Sequence, residues 1–107
     1  MRLIIDTRER ALIKLFSDIT VRTLDIGDIH CEYDDGSSWV AERKTAEDLA
    51  ASIKDGRWTE QKERLIQSGK QIIYIIEGSL RDVKFAFDSL LGACVNTVVR
   101  DGLMLFR

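Results

Sequence analysis

The 107-residue chain has no proline, one histidine and two cysteines. Cys31 and Cys94 form no C-x-x-C pair, so the ligands of a zinc site are missing. His30 and Cys31 alternate along a strand-like segment and read as sheet residues rather than as ligands. So little thiol gives no disulfide framework and fits a reducing, intracellular setting. No apolar stretch is long enough to cross a bilayer, and Met1-Arg2 leads into a strand-like run without a leader peptide. Low-complexity segments and internal repeats are absent, so a single domain spanning residues 1–107 is expected. An excess of basic charge is absent too: 16 basic against 18 acidic residues give a net charge of −2. Proteins that bind nucleic acid generally draw much of their affinity from phosphate neutralisation. Any phosphate grip here must therefore be local, and the domain alone should hold DNA weakly.

What the chain does contain is interleaved strands and helices, which favours an α/β architecture over a helical bundle. Strands are expected over 2–5, 21–24, 28–33, 38–42 and 103–106. The run Ile72-Ile73-Tyr74-Ile75-Ile76 within 71–77 reads as a central strand buried on both faces. Asp34-Asp35-Gly36 marks a hairpin tip, where both aspartates act as turn residues. Helices are expected over 8–16, from Thr45 as N-cap through Ile53, over 57–67 with Gly69 as terminator, and over 82–95. Phe85 falls off the apolar stripe of that last helix and is expected to be exposed.

The chemistry gathers around Gly27-Asp28 and Glu42-Arg43-Lys44. On a strand, side chains alternate between faces, so Glu42 and Lys44 share one face and Arg43 points to the other. A carboxylate and an ammonium at the end of the apolar run Trp39-Val40-Ala41 are costly unless they pair or serve a ligand. Hydrolysis of a phosphodiester needs an activated water and neutralisation of developing charge. Hard oxygen ligands around Mg²⁺ supply both. Asp28 and Glu42 are candidate ligands from adjacent strands, and Lys44 is a point charge for the water or a phosphate oxygen. Asp48 is open to two readings: half of a Thr45-x-x-Asp48 capping box, or a further catalytic acid. Asp6 and Glu9 can serve a helix N-terminus or a metal. Arg57, Gln61 and Arg64 lie at i, i+4 and i+7, on one helix face that is either solvated or in contact with phosphate. Lys54 and Lys62 are weaker additions to that patch.

The sequence Gly27-Asp28 … Glu42-Arg43-Lys44-x-x-x-Asp48 resembles the GD…ERKxxxD signature of the XPF family of structure-specific DNA endonucleases. Ile4-Ile5-Asp6-Thr7-Arg8-Glu9 is similar to that family's first strand and D-x-R-E turn. Asp55-Gly56-Arg57-Trp58 with Gln61, Lys62, Arg64 and Leu65 is similar to its DGR[FW]xxQxxRL helix. Asn96-Thr97 and Arg100-Asp101-Gly102 resemble a later segment, in the manner of the Mus-eighty-one branch. The resemblance implies a restriction-endonuclease-like α/β fold, a central mixed sheet flanked by helices. It implies a Mg²⁺-dependent endonuclease, with Mn²⁺ able to substitute, that cleaves branched or flapped DNA in repair or recombination.

The implied catalytic residues are Asp28, Glu42, Lys44 and Asp48. The implied metal ligands are Glu9, Asp28, Glu42 and Asp6, and the implied DNA contacts are Arg8, Arg43, Arg57, Gln61 and Arg64. The resemblance also implies pairing into a homodimer or heterodimer through the late helix region, and work in the nucleus if the source is eukaryotic. No helix-hairpin-helix module, common in longer family members, is detected. The alternative is a non-catalytic nuclease-fold subunit that binds DNA or a catalytic mate, although such members typically lose the carboxylates and the ERK triplet that stand here.

Overall fold

Two apolar runs and a hairpin organise the sheet. Strand β1 (Arg2–Asp6) and strand β4 (Ser38–Thr45) both pair antiparallel with β3 (Ile29–Glu32), which lies between them. The β3–β4 hairpin closes at the Asp34-Asp35-Gly36 tip, where Asp35 Oδ1 accepts from the Ser37 amide at 2.9 Å and hydroxyl at 2.6 Å, an Asx-type turn. Strand β2 (Thr20–Arg22) pairs parallel with β1 at one edge. Strand β5 (Gln71–Glu77) pairs parallel with β4, and β6 (Met104–Phe106) pairs parallel with β5 at the other edge. The result is one mixed six-stranded sheet, ordered β2-β1-β3-β4-β5-β6. The computed structural model describes residues 1–107.

Helices α2 (Ala46–Lys54), α3 (Trp58–Gln67) and α4 (Phe87–Val99) supply Leu49, Ala50, Trp58, Leu65, Leu90 and Cys94 to the core cluster that also holds Val40, Ile72, Tyr74 and Ile76. Strand β5 is buried on this face at alternate residues, while Ile73 and Ile75 on its other face are only half-buried. The expectation of burial on both faces is corrected accordingly. Thr45 caps α2, its Oγ1 accepting from the Asp48 amide at 3.0 Å. Gly69 follows α3 with φ +75° and returns its amide to Ile66 O at 3.2 Å, a left-handed helix stop.

Two helices differ from expectation. Helix α1 covers only Arg10–Ile13 and buries none of its residues. Leu15 and Phe16, expected on its apolar face, are exposed, and so short a segment with no buried face gains little from propagation. The region expected as a helix over 82–95 divides into a 3₁₀ turn, Leu80–Asp82, and α4, which runs on to Val99. The Ser79 hydroxyl caps the turn by accepting from the Arg81 amide at 3.2 Å, and Leu80 anchors it in the core. Phe85 is half-buried against the core, so the exposed apolar residues of this region are instead Leu91, Val95, Val98 and Val99 of α4, with Met104 and Phe106 on edge strand β6. No helix is long and apolar enough to cross a membrane.

Candidate active site

Asp28 is set by backbone before any side chain acts. Its amide donates to Ala41 O and its carbonyl accepts from the Asp6 amide, both at 2.9 Å, which ties β1, β3 and β4 together at one point. Gly27 turns the chain into this position with φ +71°. A Cβ built there would lie 2.3 Å from Val40 Cγ1, so both the left-handed backbone and the close approach require glycine. The Asp28 carboxylate then accepts from the Arg43 amide at 2.8 Å through Oδ2.

The β4–β5 register places Glu42 beside Tyr74 and Lys44 beside Ile76, on the helix-covered face. Glu42 and Lys44 thus project together, and Arg43 projects to the opposite face. Lys44 Nζ donates to Gln61 Oε1 of α3 at 3.2 Å. These residues line a cleft of ≈ 410 Å³ together with Arg8, Glu9, Asp25, Asp28, Arg64 and Tyr74. Burial drives the Glu42 carboxyl up to about 7, and the negative charges of Asp28 and Glu9 add to the rise. Burial raises Asp28 too, against the Arg43 amide, which lowers it. Like charges in a partly dry cleft are disfavoured unless a cation joins them.

Of the expected site residues, Arg8, Glu9, Asp28, Glu42, Lys44, Gln61 and Arg64 come together in this cleft, and Asp6, Arg43, Asp48 and Arg57 do not line it. Asp6 is fully buried. Its Oδ1 accepts from the Arg8 amide at 2.8 Å and Nε at 2.7 Å, and its Oδ2 from Arg8 Nη2 and the Leu24 amide, both at 2.9 Å. These bonds hold the carboxyl well below its usual range and engage both oxygens. Asp6, expected as a metal ligand, thus lies outside the cleft lining and braces the segment that leads to Gly27-Asp28 through Leu24. Arg43 grips Glu77 through Nε at 2.7 Å and Nη2 at 2.9 Å and bonds Glu9 through Nη1. That network engages the guanidinium expected to contact DNA together with one oxygen of Glu9, a residue that also lines the cleft. Asp48 is exposed in the first turn of α2; its amide donates to Thr45 Oγ1, but its carboxylate makes no return bond to the Thr45 amide, so only the Thr45 half of the capping box forms. Arg57 pairs at the surface with Asp55 at 3.1 Å instead of extending the Gln61 and Arg64 face.

Lys62 is the clearest departure. Expected on the phosphate-facing patch, it is buried, with Nζ 2.6 Å from Asp101 Oδ2 and 3.2 Å from Thr97 Oγ1. The ammonium also lies 5.2 Å from the Trp58 ring centroid, within cation–π range. The spacing of Trp58, Lys62 and Leu65 at i, i+4 and i+7 was the available signal, because it puts Lys62 on the apolar stripe. Three cleft residues were not expected there, Asp25, Ile26 and Tyr74. Asp25 stands three residues before Asp28, and Tyr74 reads from the sequence only as a core residue of an isoleucine-rich strand.

No group of three Asp, Glu, His or Cys side chains is gathered tightly enough to hold a metal by itself. Mg²⁺ does not require that, since it commonly binds one or two carboxylates and completes its shell with waters and substrate phosphate. Asp28 and Glu42, both raised and both facing one polar cleft, have the hard-oxygen chemistry that fits it.

The ERCC4 domain model matches residues 5–107. The chain is 36% identical over 97 residues to the crossover junction endonuclease MUS81 of Arabidopsis thaliana, covering 83% of this chain and 15% of that protein. It is 41% identical over 71 residues to the human structure-specific endonuclease subunit MUS81, covering 64% of this chain and 13% of that protein. It also superposes on XPF from Aeropyrum pernix in complex with DNA, with a TM-score of 0.78 and 29% identity, over 98% of this chain and 55% of that one. The chain thus spans about a seventh of the curated relatives named here.

Proposed function

This chain belongs to the ERCC4 domain family, as an XPF/Mus-type nuclease domain with that fold, and on that premise we propose that it is the metal-dependent cutting domain of a structure-specific DNA endonuclease. The observation that carries the reading is the convergence of Asp28, Glu42 and Lys44 in one cleft. The printed names of the MUS81 relatives support branched or junction DNA as the substrate and repair or recombination as the setting. If the source is eukaryotic, as for those relatives, the work is nuclear.

In this reading Asp28 and Glu42 would hold Mg²⁺, with Mn²⁺ able to substitute and Glu9 beside them in the cleft lining. Bound there, the ion supplies Lewis acidity and an activated water. Lys44 would orient the attacking water or a non-bridging phosphate oxygen as a point charge, and Gln61 steers the ammonium by accepting one of its hydrogens. Arg8 and Arg64 stand at the cleft wall, where a phosphate backbone would pass. Asp6 acts through position only, by fixing the Asp28 loop.

The exposed strip of Leu91, Val95 and Val98, spaced i, i+4 and i+7, leaves one apolar face of α4 without a partner. A second nuclease-fold chain of the same family, identical or related, fits this strip. The human relative is itself named a subunit, and an apolar face of this kind marks an interface. The test is incision of a synthetic flap by the chain, supplied with partner and Mg²⁺, compared with Asp28→Ala. Cleavage with the native chain and not with Asp28→Ala, abolished by EDTA, is expected. Equal cleavage by both proteins exposes a contaminant. No cleavage by either leaves the non-catalytic subunit as the better reading.

A further inference from the structure

Tyr74 sits at the middle of β5, 1% exposed, with its ring 5.0 Å from that of Trp58. Its hydroxyl oxygen is a buried side-chain atom with no hydrogen-bond partner. Buried phenols normally find one, and phenylalanine would fill the same space without the burial cost of an orphaned hydroxyl. The β4–β5 register sets Tyr74 directly beside Glu42 on one face of the sheet, and the ring helps line the cleft.

Two acidic groups bear on this hydroxyl, Glu42 and Asp101. Asp101 is already held by Lys62 and Arg100. Glu42 is governed by burial and neighbouring charge, with no hydrogen bond among the influences on it. One unmatched donor and one unmatched acceptor therefore stand side by side on adjacent strands.

We propose that Tyr74 is a positioning residue: when Glu42 turns to ligate a divalent cation, the Tyr74 hydroxyl donates to the carboxylate oxygen that does not touch the ion and fixes the carboxylate's orientation. Outer partners of this kind hold ligating carboxylates in place, and losing one typically weakens metal binding about 10–100-fold. The inference rests on the reading of the cleft as a divalent-cation site, so its test carries a separate control for that reading.

The experiment titrates Mn²⁺ into the native chain, Tyr74→Phe and Asp28→Ala, and follows the free ion by its paramagnetic resonance signal. Melting temperatures are measured without metal. Tyr74→Phe is expected to bind Mn²⁺ at least about tenfold more weakly, with a melting temperature equal to the native value or higher. Unchanged affinity in Tyr74→Phe, with binding lost in Asp28→Ala, overturns the role of Tyr74 and leaves the cation site standing. A fall in affinity that comes with a fall in melting temperature marks a packing role and overturns it as well. Absence of Mn²⁺ binding by the native chain overturns the site and the inference together. The chain has two tyrosines, so a Tyr33→Phe background isolates Tyr74. There, its Raman doublet should move toward the donor pattern on adding Mg²⁺, and a doublet that stays still counts against the proposal.

Discussion

On one side of Tyr74, Lys62 meets Asp101 at 2.6 Å and Thr97 at 3.2 Å, and the Thr97 hydroxyl donates in turn to Ala93 O at 2.8 Å. On the other side, Asp28 and Glu42 share a cleft with no opposing cation bonded to either carboxylate; Asp28 receives one backbone amide. Both clusters are ionic and both lie against α3, yet the environment moves their carboxyls in opposite directions. Arg100 and Lys62 hold Asp101 down to about 2, whereas burial and like charge lift Glu42 to about 7. The first cluster is complete within the chain and ties α3 to the end of α4. The second is incomplete within the chain, which is the condition expected of groups kept for a ligand.

The largest expected effect breaks the unfinished cluster. Asp28→Ala should cut flap incision by on the order of a thousandfold, through loss of charge stabilisation in the transition state, while thermal stability holds or rises because a disfavoured buried charge is gone. Single-turnover cleavage beside a melting curve checks both parts.

Next comes the finished cluster. Asp101→Ala leaves the Lys62 ammonium buried without its counter-ion and should cost about 3–5 kcal/mol in urea unfolding. Lys62→Met, which removes the charge and keeps the volume, should cost less, since Asp101 retains Arg100 at 3.0 Å. Equal losses in the two variants would show that the knot acts by packing and not by charge.

A third measurement sharpens the contrast through pH. The ordinary Glu42 value is 4.5 and the folded value about 7. Between these values the folded chain keeps a proton that the unfolded chain has released. Stability of the metal-free chain should therefore fall as pH rises from about 4.5 to about 7, then level off. The Glu42 share is on the order of 1–2 kcal/mol, because solvent at the cleft mouth screens part of the shift. Glu42→Gln should flatten that fall, as read by denaturant midpoints across the range. The smallest effect lies at the N-cap of α2, outside both clusters. Thr45→Ala removes the acceptor for the Asp48 amide and should cost about 1 kcal/mol. Asp48→Asn should cost less, since no Asp48 side-chain bond supports the helix start.

Several features were legible because they are local. The two-residue period of β4 separates Glu42 and Lys44 from Arg43 whatever the rest of the chain does. Thr45 announces α2, Gly69 ends α3, and Asp34-Asp35-Gly36 closes a hairpin, each through bonds within a few residues. Helix α1 was misjudged because a good apolar pattern cannot hold a helix that finds nothing to pack against. The boundary of α4 was misjudged because a serine cap and a buried Leu80 diverted the chain first. Sequence likeness reached the family, and the comparisons agree on family and fold.

Alternation, capping and turn chemistry are settled within a turn or a strand, so the order of residues was enough to set which groups share a face. The partners of Asp6, Arg43 and Lys62 were another matter. Asp6 closes on Leu24, Arg43 on Glu9 and Glu77, and Lys62 on Thr97 and Asp101, contacts that exist only once distant strands and helices have docked. A charged side chain takes whichever counter-group the packed fold brings within reach. Docking therefore gave Asp6, Arg43 and Lys62 partners within the chain, and left Asp28, Glu42 and Lys44 lining an open cleft.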